Sequence, residues 1–264
     1  MDLSGLTAMV TGANRGMGLA FAQRLAAEPL ERLIVTTRSP DEYPVFELPP
    51  GGAKELSVVR LDLGSQQAIE ESVASWGPEA DRIDVLLNNA GLLTAGLLED
   101  QEVDGIYAML QANLVGLMHL TRLVVPQMIE RGRGLVVNNA SISGYAYLPA
   151  TSTYAASKAG VVAFSESLRR ELRPTGVSVM HLVTPRVETD MAEEMDDTYE
   201  GHVDTKSFES TEPDAWAEKV VQGILDGDHI VGPGGRTAVS KLLSRGPAGL
   251  LDKVSDRIFS RERG

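Results

Sequence analysis

Short runs of apolar and β-branched residues alternate along the chain with longer stretches whose apolar positions recur at helical spacing. Seven runs have strand character: 6–11, 32–37, 57–61, 83–88, 134–139, 177–183 and 228–231. Helical patterns lie near 16–27, 66–76, 101–131, 152–172 and 214–226. Nearly continuous apolar strands separated by helices predict a parallel sheet covered on both faces. We therefore expect an α/β fold with a doubly wound, seven-stranded parallel sheet, whose ligands bind at the carboxyl ends of the strands.

The length of 264 residues suits one such domain, which we expect to span 1–235. The remaining segment, 236–264, carries seven basic and three acidic side chains, although the whole chain has a net charge of −13. Its apolar residues recur at helical spacing: Leu250, Leu251, Val254 and Ile258. We interpret 236–264 as a basic amphipathic extension that docks on the acidic body, joins an interface or lies on an anionic membrane surface.

Charge and composition exclude several classes of function. A net charge of −13 repels phosphate backbones, so we expect no nucleic-acid partner. No uninterrupted apolar run approaches the roughly 20 residues of a membrane-spanning helix, so no stable membrane anchoring is expected. The chain has no cysteine, which excludes disulfides, a thiolate nucleophile and a cysteine-ligated zinc, and we predict no metal site. This composition fits a reducing compartment, and we expect a cytoplasmic protein.

A glycine-rich turn follows the first predicted strand and opens the first predicted helix. It reads Thr11-Gly-Ala-Asn-Arg-Gly-Met-Gly18, with glycines at 12, 16 and 18. Glycines at such a junction allow a tight turn and close approach of the backbone to a pyrophosphate, which the helix N-terminus attracts. A Rossmann-type dinucleotide site is therefore predicted, with Gly12, Asn14, Arg15, Gly16, Met17 and Gly18 in the phosphate turn.

The spacing Gly-x-x-x-Gly-x-Gly resembles that of the short-chain dehydrogenase/reductase family, and further motifs follow in that family's order. They are Asn88-Asn89-Ala90-Gly91, Asn113, Ser141 and Tyr154-x-x-x-Lys158. The resemblance covers residues 5 to about 232. It implies a catalytic set of Asn113, Ser141, Tyr154 and Lys158. It also implies further cofactor contacts by Asp62, Leu63, Asn89, Ala90, Gly91, Tyr154, Lys158, Pro185, Val187 and Thr189.

The end of the second predicted strand bears on the choice of cofactor. An enzyme that uses NAD carries an acid there for the ribose 2′-hydroxyl, whereas this strand ends in Val-Thr-Thr-Arg38. Arg38 lies twenty residues after Gly18, and Arg15 lies inside the glycine turn. Two guanidinium groups match a 2′-phosphate through charge-assisted hydrogen bonds. We therefore predict NADP(H).

The spacing of Tyr154 and Lys158 indicates acid–base chemistry on a carbonyl or alcohol. Residues i and i+4 share a helix face, so the lysine charge is expected to lower the pKa of the tyrosine toward working pH. By the family resemblance, Ser141 holds the substrate oxygen beside Tyr154, and Asn113 anchors a water that links Lys158 to solvent. His181 lies within an apolar strand, which is typical of a core histidine.

Two features concern the substrate side. The motif Pro185-Arg186-Val187-Glu188-Thr189 departs from the family's Pro-Gly-x-x-x-Thr, because Arg186 replaces the usual glycine and makes the roles of Val187 and Thr189 less secure. Residues 186–213 are acidic, are expected to be irregular, and correspond to the family's mobile substrate lid. Pocket candidates are Leu92, Leu93, Ser143, Tyr145, Tyr147 and Met191, which favour an apolar or aromatic substrate.

The sequence thus predicts an NADP(H)-dependent oxidoreductase that transfers hydride between the cofactor and a small-molecule carbonyl or secondary alcohol. Two alternatives are an NAD(H)-dependent alcohol dehydrogenase on the same fold and a non-catalytic dinucleotide sensor. A pure sensor has no need of the complete set Asn113, Ser141, Tyr154 and Lys158. Family members commonly pair through long helices, so we expect a homodimer or homotetramer built on 101–131 and 152–172.

Overall fold

The computed structural model describes residues 1–77, 82–199, 202 and 209–234. The predicted basic extension, 236–264, lies outside the described residues, as do the acidic residues Glu200 and Asp204. The predicted boundary of the main domain at 235 therefore stays a prediction.

Seven parallel strands form the central sheet, which confirms the predicted fold class. They are β1 (Thr7–Val10), β2 (Arg32–Thr37), β3 (Leu56–Arg60), β4 (Val85–Asn88), β5 (Gly134–Asn139), β6 (Val177–Leu182) and β9 (Ile230–Val231). Their order across the sheet is β3-β2-β1-β4-β5-β6-β9. The strand order reverses between β1 and β4, where crossover helices leave on opposite faces and open a crevice at the carboxyl ends.

Helices cover both faces of the sheet. They are α1 (Gly16–Ala26), α2 (Gln66–Ser75), α3 (Val103–Leu110), α4 (Leu117–Glu130), α5 (Ser152–Leu172), α6 (Asp190–Tyr199) and α7 (Pro213–Asp226). Alternate strand residues enter opposite cores, because successive side chains of a strand point to opposite faces. Val10, for example, packs in the core with α1 and α7, whereas its neighbour Met9 packs in the core beneath α2 and α4.

The predicted helix 101–131 is interrupted by a wider, π-helical turn at Gln111–Gly116, between α3 and α4. Asn113 lies in this turn and is buried. By length and composition the combined segment, Val103–Glu130, is able to cross a membrane, with a mean hydropathy of 1.3 over its most apolar window. Half of that window is buried within the protein, which is the packing of a core helix on a sheet.

The expectation that 186–213 is irregular is wrong for the described part of this segment. Arg186–Val187 (β7) pairs in parallel with Ser210–Thr211 (β8), and α6 follows β7 directly. Helix α6 carries Asp190 and Glu193 in its first turn, where carboxylates interact favourably with the helix dipole. Two of the acids in this segment therefore stabilise a helix end, while Met191, Ala192 and Met195 face the crevice.

Candidate functional site

A cavity of about 1060 Å³ extends along the carboxyl ends of the strands and contains most of the predicted site. Every predicted cofactor residue lines it: Gly12, Asn14, Arg15, Gly16, Met17, Gly18, Arg38, Asp62, Leu63, Asn89, Ala90, Gly91, Tyr154, Lys158, Pro185, Val187 and Thr189. Ser141 lines it as well. Residues from seven separate parts of the chain thus share one crevice, whose volume suits a dinucleotide together with a small substrate.

The glycine turn makes close backbone contacts that a side chain would prevent. Gly12 has φ +63°, and a Cβ there would lie 2.8 Å from the Cα of Ala90. A Cβ on Gly18 would lie 2.0 Å from the carbonyl oxygen of Gly12. The turn therefore packs directly against the segment after β4, and the N-terminus of α1 stays accessible to a phosphate group. This cradle fits the pyrophosphate of a dinucleotide.

Charged side chains line the end of the cavity next to β2 and β3, which we call the adenosine end because the adenosine of a dinucleotide would lie there. Arg15 and Arg38 both line it, and Nη1 of Arg15 lies 3.2 Å from Oδ2 of Asp190 at the start of α6. Both members of this pair are two-thirds exposed, so a phosphate can compete for the guanidinium group. Asp62 accepts a hydrogen bond from the backbone of Gly64 with Oδ1. Glu42, in the turn after β2, is a second acid on this wall that the sequence reasoning did not assign.

A chain of side-chain hydrogen bonds crosses the ends of β1, β4, β5 and β6 beneath the cavity. Nδ2 of Asn89 donates to the Thr11 carbonyl at 3.1 Å, and Oδ1 of Asn89 accepts from Nδ2 of Asn139 at 3.0 Å. Oδ1 of Asn139 in turn accepts from the hydroxyl of Thr184 at 2.5 Å. Neither Asn139 nor Thr184 was predicted as a site residue. The polar pair Asn138-Asn139 at the end of an apolar strand was the available signal.

Tyr154 and Lys158 occupy the first two turns of α5, where Lys158 is buried and Tyr154 is partly buried at the cavity wall. Burial raises the pKa of Tyr154 to about 12, against a smaller lowering by its hydrogen bond with Ser141. Burial also lowers the pKa of Lys158 to about 8. The expected lowering of the tyrosine pKa by the lysine charge is therefore wrong, because desolvation is the largest effect on Tyr154 and raises its pKa. Nζ of Lys158 lies 5.7 Å from the Tyr154 ring centre and donates to the Asn139 carbonyl at 2.8 Å.

Asn113 lies behind the cavity wall and does not line the cavity. Its side-chain amide donates to the Leu92 carbonyl at 2.9 Å and accepts from the Leu92 N–H at 2.7 Å. It also donates to the hydroxyl of Ser157 at 3.3 Å. The side chain thus braces the loop after β4 against α5. Its expected role in holding a water is untested by these contacts and stays a prediction.

The other end of the cavity is largely apolar. Four pocket candidates line the cavity: Leu92, Leu93, Ser143 and Met191. Ala108, Ile142, Ala146, Leu148 and Met195 add to this wall. Tyr145 and Tyr147 do not line it, which corrects their assignment. Tyr145 points into the core, where its hydroxyl lies 2.7 Å from Nε2 of His181, and Tyr147 is half-exposed outside the cavity.

Arg186 points toward α6, where its guanidinium group forms an ion pair with Asp196. The side chain lines the cavity and is only 20% exposed, so it does not extend into solvent. The pair fixes α6 relative to β7. Among the described residues there is no group of three or more His, Asp or Glu side chains arranged to hold a metal ion.

The chain is similar to reductases of known name. Residues 6–200 match the family described as short chain dehydrogenase. A ketoacyl reductase, HetN, from a Nostoc species is 34% identical over 67% of this chain, and the match spans 62% of that relative's length. The 3-oxoacyl-[acyl-carrier-protein] reductase FabG of Escherichia coli is 30% identical over 75% of this chain and 80% of its own.

Solved structures show the same architecture. A short chain dehydrogenase from Burkholderia cenocepacia in complex with NADP superimposes with a TM-score of 0.80 at 22% identity, over 97% of this chain and 99% of its own. At that identity the likeness concerns the fold alone. A variant of actinorhodin polyketide ketoreductase with NADPH has a TM-score of 0.77 at 30% identity, over 88% of this chain and 96% of its own.

Proposed function

Because the chain belongs to the short chain dehydrogenase family, we propose that it is an NADP(H)-dependent oxidoreductase that reduces a carbonyl group to a secondary alcohol. The observation that carries this proposal is the convergence of Ser141, Tyr154 and Lys158 with the glycine turn on one cavity. A dinucleotide sensor needs the turn but not a tyrosine beside a serine on the cavity wall.

The arginines of the adenosine end support NADP(H). Arg15 and Arg38 line the wall where the strand-end acid of an NAD enzyme would lie, and each guanidinium group can form charge-assisted hydrogen bonds with a 2′-phosphate. Glu42 is the acid that an NAD(H) preference would use, and it lies one turn further along the chain. The related ketoreductase with NADPH agrees with this choice.

Tyr154 is the proton donor in the proposed reaction. With its pKa raised to about 12, the hydroxyl carries its proton at neutral pH and can transfer it to the oxygen that becomes negative. The bound nicotinamide supplies the hydride to the carbonyl carbon. Ser141 holds the carbonyl oxygen, and the charge of Lys158 stabilises the tyrosinate that remains until a proton from solvent replaces the one transferred. One ketone, one NADPH and one proton give one alcohol and one NADP⁺.

The wall beyond Tyr154 points to an apolar substrate. Leucine, alanine and methionine side chains dominate it, together with the hydroxyl of Ser143. Two relatives bear the name ketoacyl or 3-oxoacyl reductase. We infer a small ketone with an apolar body, and the 3-oxoacyl class is the first to be tried.

For the oligomeric state and the cellular location of the protein, we keep the inference made from the sequence. Exposed or partly exposed apolar side chains on α3, α4 and α5, including Tyr107 and Phe164, support pairing of these helices between subunits. We infer a homodimer or homotetramer in the cytoplasm. Light scattering should give a mass of at least twice 28.3 kDa, and a monomer at micromolar concentration would reject the pairing.

A screen of ketones and 3-oxoacyl thioesters, monitored by NADPH absorbance, tests the function. Tyr154→Phe keeps the ring and removes the donated proton. We expect it to bind NADPH normally and to lose about 10²- to 10⁴-fold in turnover. A Tyr154→Phe variant as active as the wild type on the best substrate would reject the proposed mechanism.

A further inference from the structure

A tyrosine–histidine pair lies in the core directly behind the catalytic serine. The hydroxyl of Tyr145 lies 2.7 Å from Nε2 of His181, and the two rings stack with centres 6.2 Å apart and planes 22° apart. Both residues are buried, with His181 only 1% exposed. An apolar pair at this position would need no hydrogen-bond partners. Buried polar side chains do need them, because burial without a hydrogen bond costs free energy.

Tyr145 belongs to the segment that carries Ser141 and one wall of the substrate pocket. It lies four residues after Ser141 and immediately before Ala146, which lines the cavity. The backbone between them is a tight turn, because the N–H groups of Tyr145 and Ala146 both donate to the Ile142 carbonyl. A shift of the tyrosine side chain is therefore passed to Ser141 through a short, hydrogen-bonded turn.

The same turn is held from two further directions. The N–H of Ile142 donates to the Thr184 carbonyl at 2.9 Å, which ties the start of the turn to the segment after β6. Gly144 lies against α5, so closely that a Cβ would be 2.9 Å from the Lys158 carbonyl oxygen. The Tyr145–His181 contact attaches the end of the turn to β6. Together these contacts fix the position of the turn relative to α5, the helix that carries Tyr154 and Lys158.

His181 has a charged neighbour on its other side. Its Nδ1 lies 3.8 Å from Oε1 of Glu166 on α5, too far for a hydrogen bond but close enough for a favourable electrostatic interaction. Glu166 is itself fixed by Arg169 and Arg170 at 3.1 and 2.9 Å. The histidine ring therefore has a defined orientation between α5 and the Ser141 turn.

We propose that His181 is a positioning residue for Ser141, acting through Tyr145. The inference rests on the proposed reduction, in which Ser141 and Tyr154 must contact one carbonyl oxygen. A hydrogen bond defines the distance and direction of its partners, whereas an apolar contact allows them to slide. Displacement of a catalytic group by about 1 Å can reduce the rate roughly 100-fold, so this constraint has a direct effect on turnover.

The test compares Tyr145→Phe and His181→Phe with Met180→Leu. Met180 is the buried neighbour of His181 on β6, its side chain packs in the opposite core, and the substitution conserves volume. We expect each of the first two variants to lose about 10- to 100-fold in kcat, with an unchanged Kd for NADPH. His181→Gln, whose amide can bond the tyrosine hydroxyl, should recover part of this loss. Met180→Leu should keep the wild-type kcat.

Coupling to Ser141 separates positioning from general loosening of the core. Ser141→Ala should cost much less in the Tyr145→Phe background than in the wild type, because the serine is already misplaced there. In the Met180→Leu background it should cost the full amount. An equal cost in all three backgrounds, or a Tyr145→Phe enzyme with wild-type kcat, would overturn the proposal.

The remaining outcomes also decide the question. If His181→Phe fails to fold, Tyr145→Phe gives the same decision, since it removes one oxygen atom and leaves the ring in place. A wild type that reduces no carbonyl substrate would reject the proposed function and this role together. A wild type that is active, with Tyr154→Phe inactive and Tyr145→Phe unaffected, would reject this role alone.

Discussion

Nζ of Lys158 donates a hydrogen bond to the backbone carbonyl of Asn139, 2.8 Å away, at the carboxyl end of β5. The side chain of the same asparagine joins Asn89 to Thr184. One residue thus connects the lysine of the catalytic helix to the strand ends on both sides of β5. The position of the Lys158 ammonium group is set by the sheet as well as by α5.

Asn139→Leu should destabilise the protein by roughly 2–4 kcal/mol, because Asn89 and Thr184 each lose a buried hydrogen-bond partner. Urea unfolding with and without NADPH measures this. The double variant Asn139→Leu/Thr184→Val removes both partners of one bond, so it should cost less than the sum of the single variants. Additive losses would show that the bond between Asn139 and Thr184 contributes little.

Stability should depend on pH through Lys158. Its folded pKa of about 8 lies below the ordinary value of 10.5. The unfolded chain therefore binds more protons between pH 8 and 10.5, and the free energy of unfolding contributed by this residue rises with pH across that window. Below pH 8 the cost of burying the charge is fully present.

Lys158→Met removes this cost. At pH 7, without cofactor, we expect the variant to be more stable than the wild type by about 1–3 kcal/mol, and the difference should shrink toward pH 10. The folded pKa of Tyr154, about 12, keeps this residue protonated to pH 10, so its titration in the folded protein adds little to the comparison. Exposed Lys219→Met is the control. A gap that is constant with pH would contradict the lowered pKa of Lys158.

Cofactor preference should change with Arg38. Arg38→Asp removes a cation and adds a carboxylate, which repels a 2′-phosphate and accepts a hydrogen bond from a ribose hydroxyl. We expect NADPH binding to weaken about 10- to 100-fold, while NADH binding is retained or improved. Calorimetric titration of both cofactors measures it. Glu42→Gln is the matched variant, and a loss of NADH binding there would identify Glu42 as a ribose ligand.

Asp190 should act against NADP(H), because its carboxylate lies 3.2 Å from the Arg15 guanidinium group and competes with a phosphate for it. Exposed ion pairs contribute about 0–1 kcal/mol, so Asp190→Asn should tighten NADPH binding by at most about fivefold. This gain should decrease with added salt. Glu193→Gln makes the same charge change in the same helical turn. An equal effect of the two substitutions would mean that only net charge matters, and not the contact with Arg15.

Local sequence was sufficient for the sheet and for the cofactor half of the site. Periodicity located all seven strands of the main sheet, since buried parallel strands are almost wholly apolar. The glycine turn and Arg38 follow strand ends directly, and the carboxyl ends of parallel strands share one edge of the sheet. Their arrival in one cavity therefore follows from strand assignment alone.

The structure of segment 186–213 and of the turn that begins at Ser141 could be predicted less well. Acidic composition suggested an irregular segment at 186–213, but Arg186 pairs with Asp196 and α6 forms above the cavity. Tyr145 was among the residues expected to line the pocket. In the structure it turns to His181, and no local pattern indicates toward which side of a turn an aromatic ring points.

The sequence by itself determined which functional residues follow one another along the chain. They are a glycine turn, a strand-end arginine, a serine, and a tyrosine–lysine pair on one helix face. These depend on spacing within single elements, which a linear pattern records. Tertiary structure decided the protonation of Tyr154 and Lys158, because burial moves their pKa values in opposite directions from the ordinary ones. It also decided which polar side chains bond beneath the cavity. Desolvation and long-range hydrogen bonds depend on what packs around a residue, and that is fixed only when distant segments meet.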